Sequence, residues 1–204
     1  MRRLAIGASL GLAALLGSAP ARAQHDDGGR VREGAFVHME LGPGFLSEWR
    51  GRWESAWGAA TSVLVGGSAM PWLVVGGEIT TGLFEHDYDT SAIGMIGPFG
   101  QAWLDPHQSL YVRASAGVAV VAEAHDLSAL SHSGPRQEHA GVGLGLGFGM
   151  EGRVGSAWSV GPALQLLYGS VPYAYDCDHA CEGGTEPRSR SLILTVLSLA
   201  ATYQ

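Results

Sequence analysis

The chain has 204 residues, a formal net charge of −7, 31 glycines and two cysteines. This acidity argues against a nucleic-acid partner, which would need a basic surface. After the first 23 residues the longest apolar stretch, 192–201, has 10 residues, half of what a membrane-spanning helix needs but enough for a tilted spanning strand.

Residues 1–23 have the three parts of a secretory signal peptide. Arg2 and Arg3 precede an apolar run over 4–16, and Ala21-Arg22-Ala23 supplies small residues for cleavage. We therefore expect export, followed by a flexible polar leader over 24–33 and one domain over 34–204. Cleavage removes three of the 12 basic residues and no acidic one, which leaves 9 against 19 and a formal charge of −10.

Alternation with period two predicts eight β-strands, because successive side chains on a strand point to opposite faces. Strand six shows it most clearly: large apolar residues alternate with glycines from 141 to 150. Bulk on one face and almost nothing on the other suits the wall of a narrow barrel that turns its bulky side to lipid. The sparse and ionic rows then face inward. The predicted strands are 34–45, 61–69, 72–84, 91–104, 110–123, 140–153, 157–168 and 190–203.

The stretch 47–58 breaks the alternation and places Trp49, Trp53 and Trp57 four residues apart. On a helical turn the three indoles would share a face. They then form either a surface that grips lipid headgroups or a partner, or an aromatic girdle at the membrane interface. The girdle is the favoured interpretation.

The predicted connections differ in kind. Those after strands one, three, five and seven are long or polar, and those after strands two, four and six have a few residues each. Outer-membrane barrels show this asymmetry, with short periplasmic turns and longer outer loops. We therefore predict an all-β, eight-stranded, antiparallel, up-and-down transmembrane β-barrel in the bacterial outer membrane, with strand eight paired to strand one so that no edge stays open.

Six polar residues lie on the predicted inward rows of this barrel. Buried charges must pair, because desolvating each costs several kcal/mol, so we expect Arg113 and Arg153 to bridge the carboxylates. The network is then a plug of ion pairs that holds the wall, or else it lines a narrow polar path for a small solute. The six residues are His38, Glu40, Glu78, Arg113, Glu151 and Arg153.

The predicted loops carry the remaining candidates. Cys177 and Cys181 suggest a disulfide in an exported protein; a metal site with the neighbouring acidic residues and His179 is the alternative. Acid–histidine neighbours at His86, His125 and His179 could converge on a metal or a catalytic pair. No Gly-x-Ser-x-Gly or His-Glu-x-x-His motif accompanies them, so we expect neither an enzyme nor a cofactor.

The signal peptide, the strand count, the glycine-rich inner rows and the near-terminal aromatic Tyr203 resemble the small outer-membrane barrels of the OmpA, OmpX and OmpW kind. Such barrels usually end on phenylalanine, whereas Tyr203-Gln204 stands here. We expect no peptidoglycan-binding domain. A soluble barrel of lipocalin type is disfavoured, because the glycine row of strand six would leave its core unfilled.

The resemblance implies an integral outer-membrane protein with a structural or surface-interaction role carried by its outer loops. A narrow channel is the alternative, and a hydrolase at the rim is third. The implied partners are outer-membrane lipid or lipopolysaccharide and the outer-membrane assembly machinery, and the implied state is a monomer.

Overall fold

The computed structural model describes residues 34–49, 52–86, 89–104, 109–124, 137–173 and 188–203. The predicted signal peptide and leader, the two cysteines, His125 and His179 lie outside the described residues. Nine β-strands make up the described chain: β1 Ala35–Trp49, β2 Trp53–Met70, β3 Leu73–His86, β4 Asp89–Trp103, β5 Leu110–Ala124, β6 Gln137–Met150, β7 Gly152–Val154, β8 Trp158–Tyr173 and β9 Arg188–Tyr203.

The strands form one closed antiparallel barrel. Neighbours in sequence pair along the sheet, β1 pairs with β9, and β6 pairs with β8. The short β7 continues the line of β6 against β8. The nine segments therefore form eight barrel strands, which we call staves, with β6 and β7 together making one of them. The predicted eight-stranded up-and-down barrel is confirmed, including the pairing of the last strand with the first.

The gap between β6 and β7 has a local cause. Pairing with β8 runs as far as Gly149↔Ala163 and resumes at Gly152↔Val160, so the gap lies opposite Gly161-Pro162. Proline has no N–H to donate to the ladder. A Cβ on Gly161 would overlap the carbonyl oxygen of Met150, so only glycine allows the two strands to approach this closely.

Two other Gly-Pro pairs interrupt the ladder in the same way. β1 loses its pairing with β9 at Gly42-Pro43, and β4 loses its pairing with β5 at Gly97-Pro98. A Cβ on either glycine would overlap a carbonyl oxygen of the facing strand. Glycine kinks of this kind let a sheet curve tightly enough to close into a narrow barrel.

Closure decides the facing of β2 and β4, whose alternation is too irregular in the sequence to predict it. In β2 the even-numbered residues from Ala56 to Leu64 point inward, apart from a partly exposed Gly58, and in β4 Met95, Phe99 and Trp103 do so. Counting by twos from Glu78 along the predicted strand 72–84 also puts Trp72 on the inner row, and that prediction is wrong. Trp72 lies in the turn between β2 and β3 and is 51% exposed, because the stave does not extend that far.

The prediction that 47–58 leaves the strand pattern is also wrong. β1 continues to Trp49 and β2 begins at Trp53, with Trp49 opposite Trp53 and Phe45 opposite Trp57. These tryptophans point outward on alternate positions of a hairpin, not from a helical turn. Cross-strand aromatic pairs stabilise such a hairpin, and only three residues separate the end of β1 from the start of β2.

The interior is fuller than the expected sparse and ionic rows. The half next to the hairpin between β1 and β2 is mainly apolar, although it also holds the buried Glu48 and Arg190, and the other buried charged groups occupy the middle. Large side chains from neighbouring strands occupy the room that the glycines leave. The apolar half contains Leu46, Ala56, Ala60, Phe84, Met95, Ala119, Val121, Leu167, Val171, Leu192, Leu194 and Val196.

Candidate functional site

The glycine row of β6 makes room for the largest polar side chains of the interior. A Cβ on Gly149 would overlap the ring of Tyr111, and one on Gly147 would lie 3.2 Å from Arg113 Nε. Tyr111 and Arg113 belong to β5, the stave next to β6. The bare face of β6 is thus the surface over which two β5 side chains reach the barrel axis.

Arg113 makes the central ion pair of the barrel. Its two terminal nitrogens donate to the carboxylate of Glu40 at 2.9 and 3.1 Å, and its Nε lies 3.9 Å from the carboxylate of Glu78. Tyr111 also donates to Glu40 at 3.4 Å. A two-point arginine–carboxylate contact fixes both groups in one orientation, and here it joins β1 to β5 across the lumen.

His38 lies between two carboxylates. Its Nε2 is 2.8 Å from Glu40, and its Nδ1 is 3.2 Å from Glu151 and 2.6 Å from the hydroxyl of Thr202. Thr202 in turn donates to Glu151 at 2.5 Å. The ring is held in place by Phe36, stacked at 5.8 Å, and by Tyr111, edge-on at 5.6 Å.

A second group of polar side chains joins Glu78 to the opposite wall. Gln165 on β8 donates to Glu78 at 2.7 Å, and Thr80 donates to the same oxygen at 2.9 Å. Ser62 lies 2.8 Å from Thr80 and donates to Gln165 at 3.0 Å. The carboxylate of Glu78 is thereby tied to β2, β3 and β8.

The structure brings five of the six predicted residues together, and each of the five is at most 3% exposed. The prediction that the sixth residue, Arg153, faces inward is wrong. Arg153 is exposed and donates to the carbonyls of Gly155 and Ser156 at 2.9 and 2.7 Å. Its position follows from the end of the stave: Glu151 is the last inward residue before the turn, and His38 contacts Glu151 where Arg153 was expected.

Several members of this network were missed in the sequence. Alternation along the predicted strand 110–123 puts Tyr111 on the inner row with Arg113 but gives it no role. Four further members were not predicted to take part: Ser62, Thr80, Gln165 and Thr202. Small hydroxyls and amides carry no charge that must be paired, so alternation alone does not mark them. Their pairing with a carboxylate depends on which staves face each other across the lumen.

A further buried ion pair lies nearer the loop end. Arg190 on β9 contacts Glu48 on β1, and both are at most 5% exposed. Glu48 falls in the stretch that was expected to leave the strand pattern, which is why it was not predicted to point inward. Once β1 is extended to Trp49, the alternation of His38 and Glu40 places Glu48 on the same face.

Taken together, these buried groups occupy the interior of the barrel. They hold staves together across the barrel, and within the described ranges no three His, Cys, Asp or Glu side chains gather in a way suited to a metal ion. In the described parts of the chain no helix is long and apolar enough to cross a membrane. The proposed convergence of His86, His125 and His179 stays a prediction, as does the disulfide, because their side chains lie outside the described residues.

The fold is similar to that of solved outer-membrane proteins. Neisserial surface protein A matches 84% of this chain over 99% of its own, with a TM-score of 0.56 and 15% identity. Ail, the attachment invasion locus protein of Yersinia pestis, solved with the heparin analogue sucrose octasulfate, matches 83% of this chain over 97% of its own, with a TM-score of 0.43 and 10% identity.

OprG of Pseudomonas aeruginosa matches 87% of this chain over 98% of its own, with a TM-score of 0.43 and 10% identity. No protein-family model matches the chain, and no curated protein sequence does. The likeness to Neisserial surface protein A confirms, at the level of the fold, the resemblance to the small eight-stranded outer-membrane barrels.

Proposed function

We propose that this barrel, which has the fold of small bacterial outer-membrane proteins, spans the outer membrane with a closed lumen and acts through its loop end. Its role is structural or lies in contacts with lipid or another surface, and it is not enzymatic. The observation that carries the proposal is the inverted polarity of the wall: charged groups are buried inside, and large apolar groups cover the outside.

The outer surface supports residence in lipid. Leu41, Leu146 and Leu199 point outward from three different staves and are 66%, 64% and 63% exposed. A water-soluble protein rarely exposes a continuous apolar surface of this kind. In a bilayer the same side chains meet hydrocarbon, and the closed sheet pairs the wall's backbone groups along most of its length.

The height of the apolar band supports the same placement. Aromatic residues border it at both ends: Trp158 packs on Tyr203 at 5.2 Å, and Phe45 packs on Trp57 at 4.9 Å. Val37, opposite Tyr203, and Phe45 are eight residues apart, about 26 Å along a strand. With a strand tilt of about 40° this gives roughly 20 Å, and Trp49 extends it to about 30 Å, which brackets the ~25 Å band of such barrels.

The buried polar side chains inside the barrel favour a plug over a channel. Arg113 pairs with Glu40 and lies 3.9 Å from Glu78, to which Gln165 donates, and all four residues are at most 3% exposed. In planar bilayers we therefore expect the refolded protein to give no discrete current steps. Reproducible unitary steps from the folded protein would contradict the closed lumen and favour the narrow channel.

Location is tested separately by fractionation. The first described strand begins and the last one ends at the same end of the barrel, with Val37 paired to Tyr203, while the long connections 125–136 and 174–187 leave from strand ends on the other side. We place the chain ends in the periplasm and propose that the outer-membrane assembly machinery inserts a monomer. Recovery of the mature protein in the aqueous periplasmic extract, with none in the outer-membrane fraction, would contradict the proposal.

A further inference from the structure

The outer face of the hairpin between β1 and β2 carries two aromatic tiers with a serine tier between them. Trp49 packs on Trp53 at 5.4 Å near the turn, and Phe45 packs on Trp57 at 4.9 Å further down. Between them Ser47 lies opposite Ser55 on the same outward rows. The two aromatic tiers are four residues apart, about 13 Å along the strands.

These tiers lie at the loop end of the apolar band, the level at which lipid headgroups meet the hydrocarbon. Their rings remain accessible, since Trp53 is 59% exposed and Trp57 is 70% exposed. Indole rings offer a flat apolar face together with an N–H donor, and serine hydroxyls donate and accept hydrogen bonds. Ring faces and hydroxyls in alternation match a sugar, which has apolar ring faces and hydroxyls on its edge.

A positively charged side chain, that of Arg52, lies at the end of the hairpin. The side chain of Arg52 is 81% exposed, and its Nε donates to Glu54 at 2.6 Å. Its terminal nitrogens have no partner among the described residues. Glu54 therefore orients the guanidinium and leaves its fork of N–H donors available for an anion such as phosphate, which arginine binds at two points.

Among the described residues, the Trp158–Tyr203 pair at the opposite end lacks this combination. Its two rings also pack on each other, but Arg153, at the same end, directs its Nε and one terminal nitrogen to turn carbonyls. The next outward positions on β8 are Val160 and Pro162, which offer no hydroxyl.

We propose that the outer face of the β1–β2 hairpin binds the phosphorylated sugar headgroup of an outer-leaflet glycolipid. Trp53 and Trp57 contact the sugar rings, Ser47 and Ser55 bond their hydroxyls, and Arg52 binds the phosphate. The inference rests on the proposed membrane placement with the loop end outermost, and it names the lipid that this placement brings to the site.

The test uses the full mature chain refolded into phosphatidylcholine nanodiscs, with diphosphoryl lipid A as the probe. Bound lipid A is counted by native mass spectrometry and its affinity taken from tryptophan fluorescence. We expect one tightly held lipid A per barrel. Arg52→Gln should weaken binding about tenfold, since it removes a charge-assisted contact, and Arg52→Lys should restore part of it.

Two comparisons separate the parts of the site. Dephosphorylated lipid A should bind the unchanged protein about as weakly as diphosphoryl lipid A binds Arg52→Gln. The double variant Trp53→Ala, Trp57→Ala should weaken both lipids, whereas Trp158→Ala, at the other belt, should weaken neither. Inorganic phosphate should not displace lipid A, which distinguishes a headgroup site from a simple anion site.

Equal binding by the unchanged protein, Arg52→Gln and the double tryptophan variant would overturn the inference, as would indifference to the lipid phosphates. Cross-linking of two barrels through the tryptophan tiers would overturn it too, since it would assign this face to a second copy. In each case a folded barrel in the outer-membrane fraction would leave the proposed function standing. A protein found in the aqueous periplasm would refute both.

Discussion

Replacing Arg113 by methionine tests whether the interior network holds the barrel together. The substitution removes the two hydrogen bonds to Glu40 and the contact with Glu78, while it keeps most of the side-chain volume. Breaking a buried ion pair by removing one partner costs about 3–5 kcal/mol, because the other charge is left buried and unpaired. Glu40 would keep only His38 and Tyr111 as donors.

We expect the free energy of unfolding of Arg113→Met to fall by about 3–5 kcal/mol, a rise of roughly two to three and a half orders of magnitude in the unfolded-to-folded ratio. Removing both partners should cost less than the sum of the single changes, because the buried charge of Glu40 is then removed together with that of Arg113. For the double variant Glu40→Met, Arg113→Met we expect a coupling energy of about 1–3 kcal/mol.

The measurement is urea unfolding of the refolded barrel in detergent micelles, followed by tryptophan fluorescence and by gel mobility without heating. Linear extrapolation gives the free energy in water. Arg153→Met is the matched control, because that arginine is exposed and bonds only turn carbonyls, and we expect a change within about 0.5 kcal/mol. Equal losses for Arg113→Met and Arg153→Met, or additive losses in the double variant, would refute the central role of the ion pair.

Two further predictions concern the wall and the last loop. Gly161→Ala should lower the free energy of unfolding by at least about 1–3 kcal/mol, because its Cβ would overlap the Met150 carbonyl. Gly77→Ala is the control and should be nearly neutral, because its Cβ meets nothing within 4 Å. Similar unfolding midpoints for the two variants would contradict the close approach of the strands at Gly161. In the exported protein, thiol labelling should find Cys177 and Cys181 blocked before reduction and reactive after it, and free thiols without reductant would exclude the disulfide.

The facing of most side chains in the barrel wall can be predicted from the sequence, because the alternation of a strand depends only on neighbouring residues in the chain. Backbone sterics alternate the side chains, so the inward positions of His38, Glu40, Glu78 and Arg113 follow from counting by twos within each strand. Glu151 follows the same count to the end of its stave. The count fails where the stave ends, and Arg153 and Trp72 were misplaced for that reason.

The hairpin between β1 and β2 shows a second kind of failure. Trp49, Trp53 and Trp57 suit both a helical period of about four and an outward row of a strand, since four is a multiple of two. Only the pairing of Trp49 with Trp53 across the turn separates these alternatives. For the same reason Glu48 was not predicted to point inward, because its position on the inner face depends on β1 continuing beyond residue 45.

What the sequence determined by itself is therefore the class of fold, the number of staves and most of the inward rows. The tertiary structure decided which inward groups meet: His38 rather than Arg153 against Glu151, Gln165 against Glu78, and Arg190 against Glu48. Alternation is set by neighbours in the chain, but contacts between different staves join residues up to 142 positions apart in these three pairs. They exist only once the register and closure of all eight staves have been fixed.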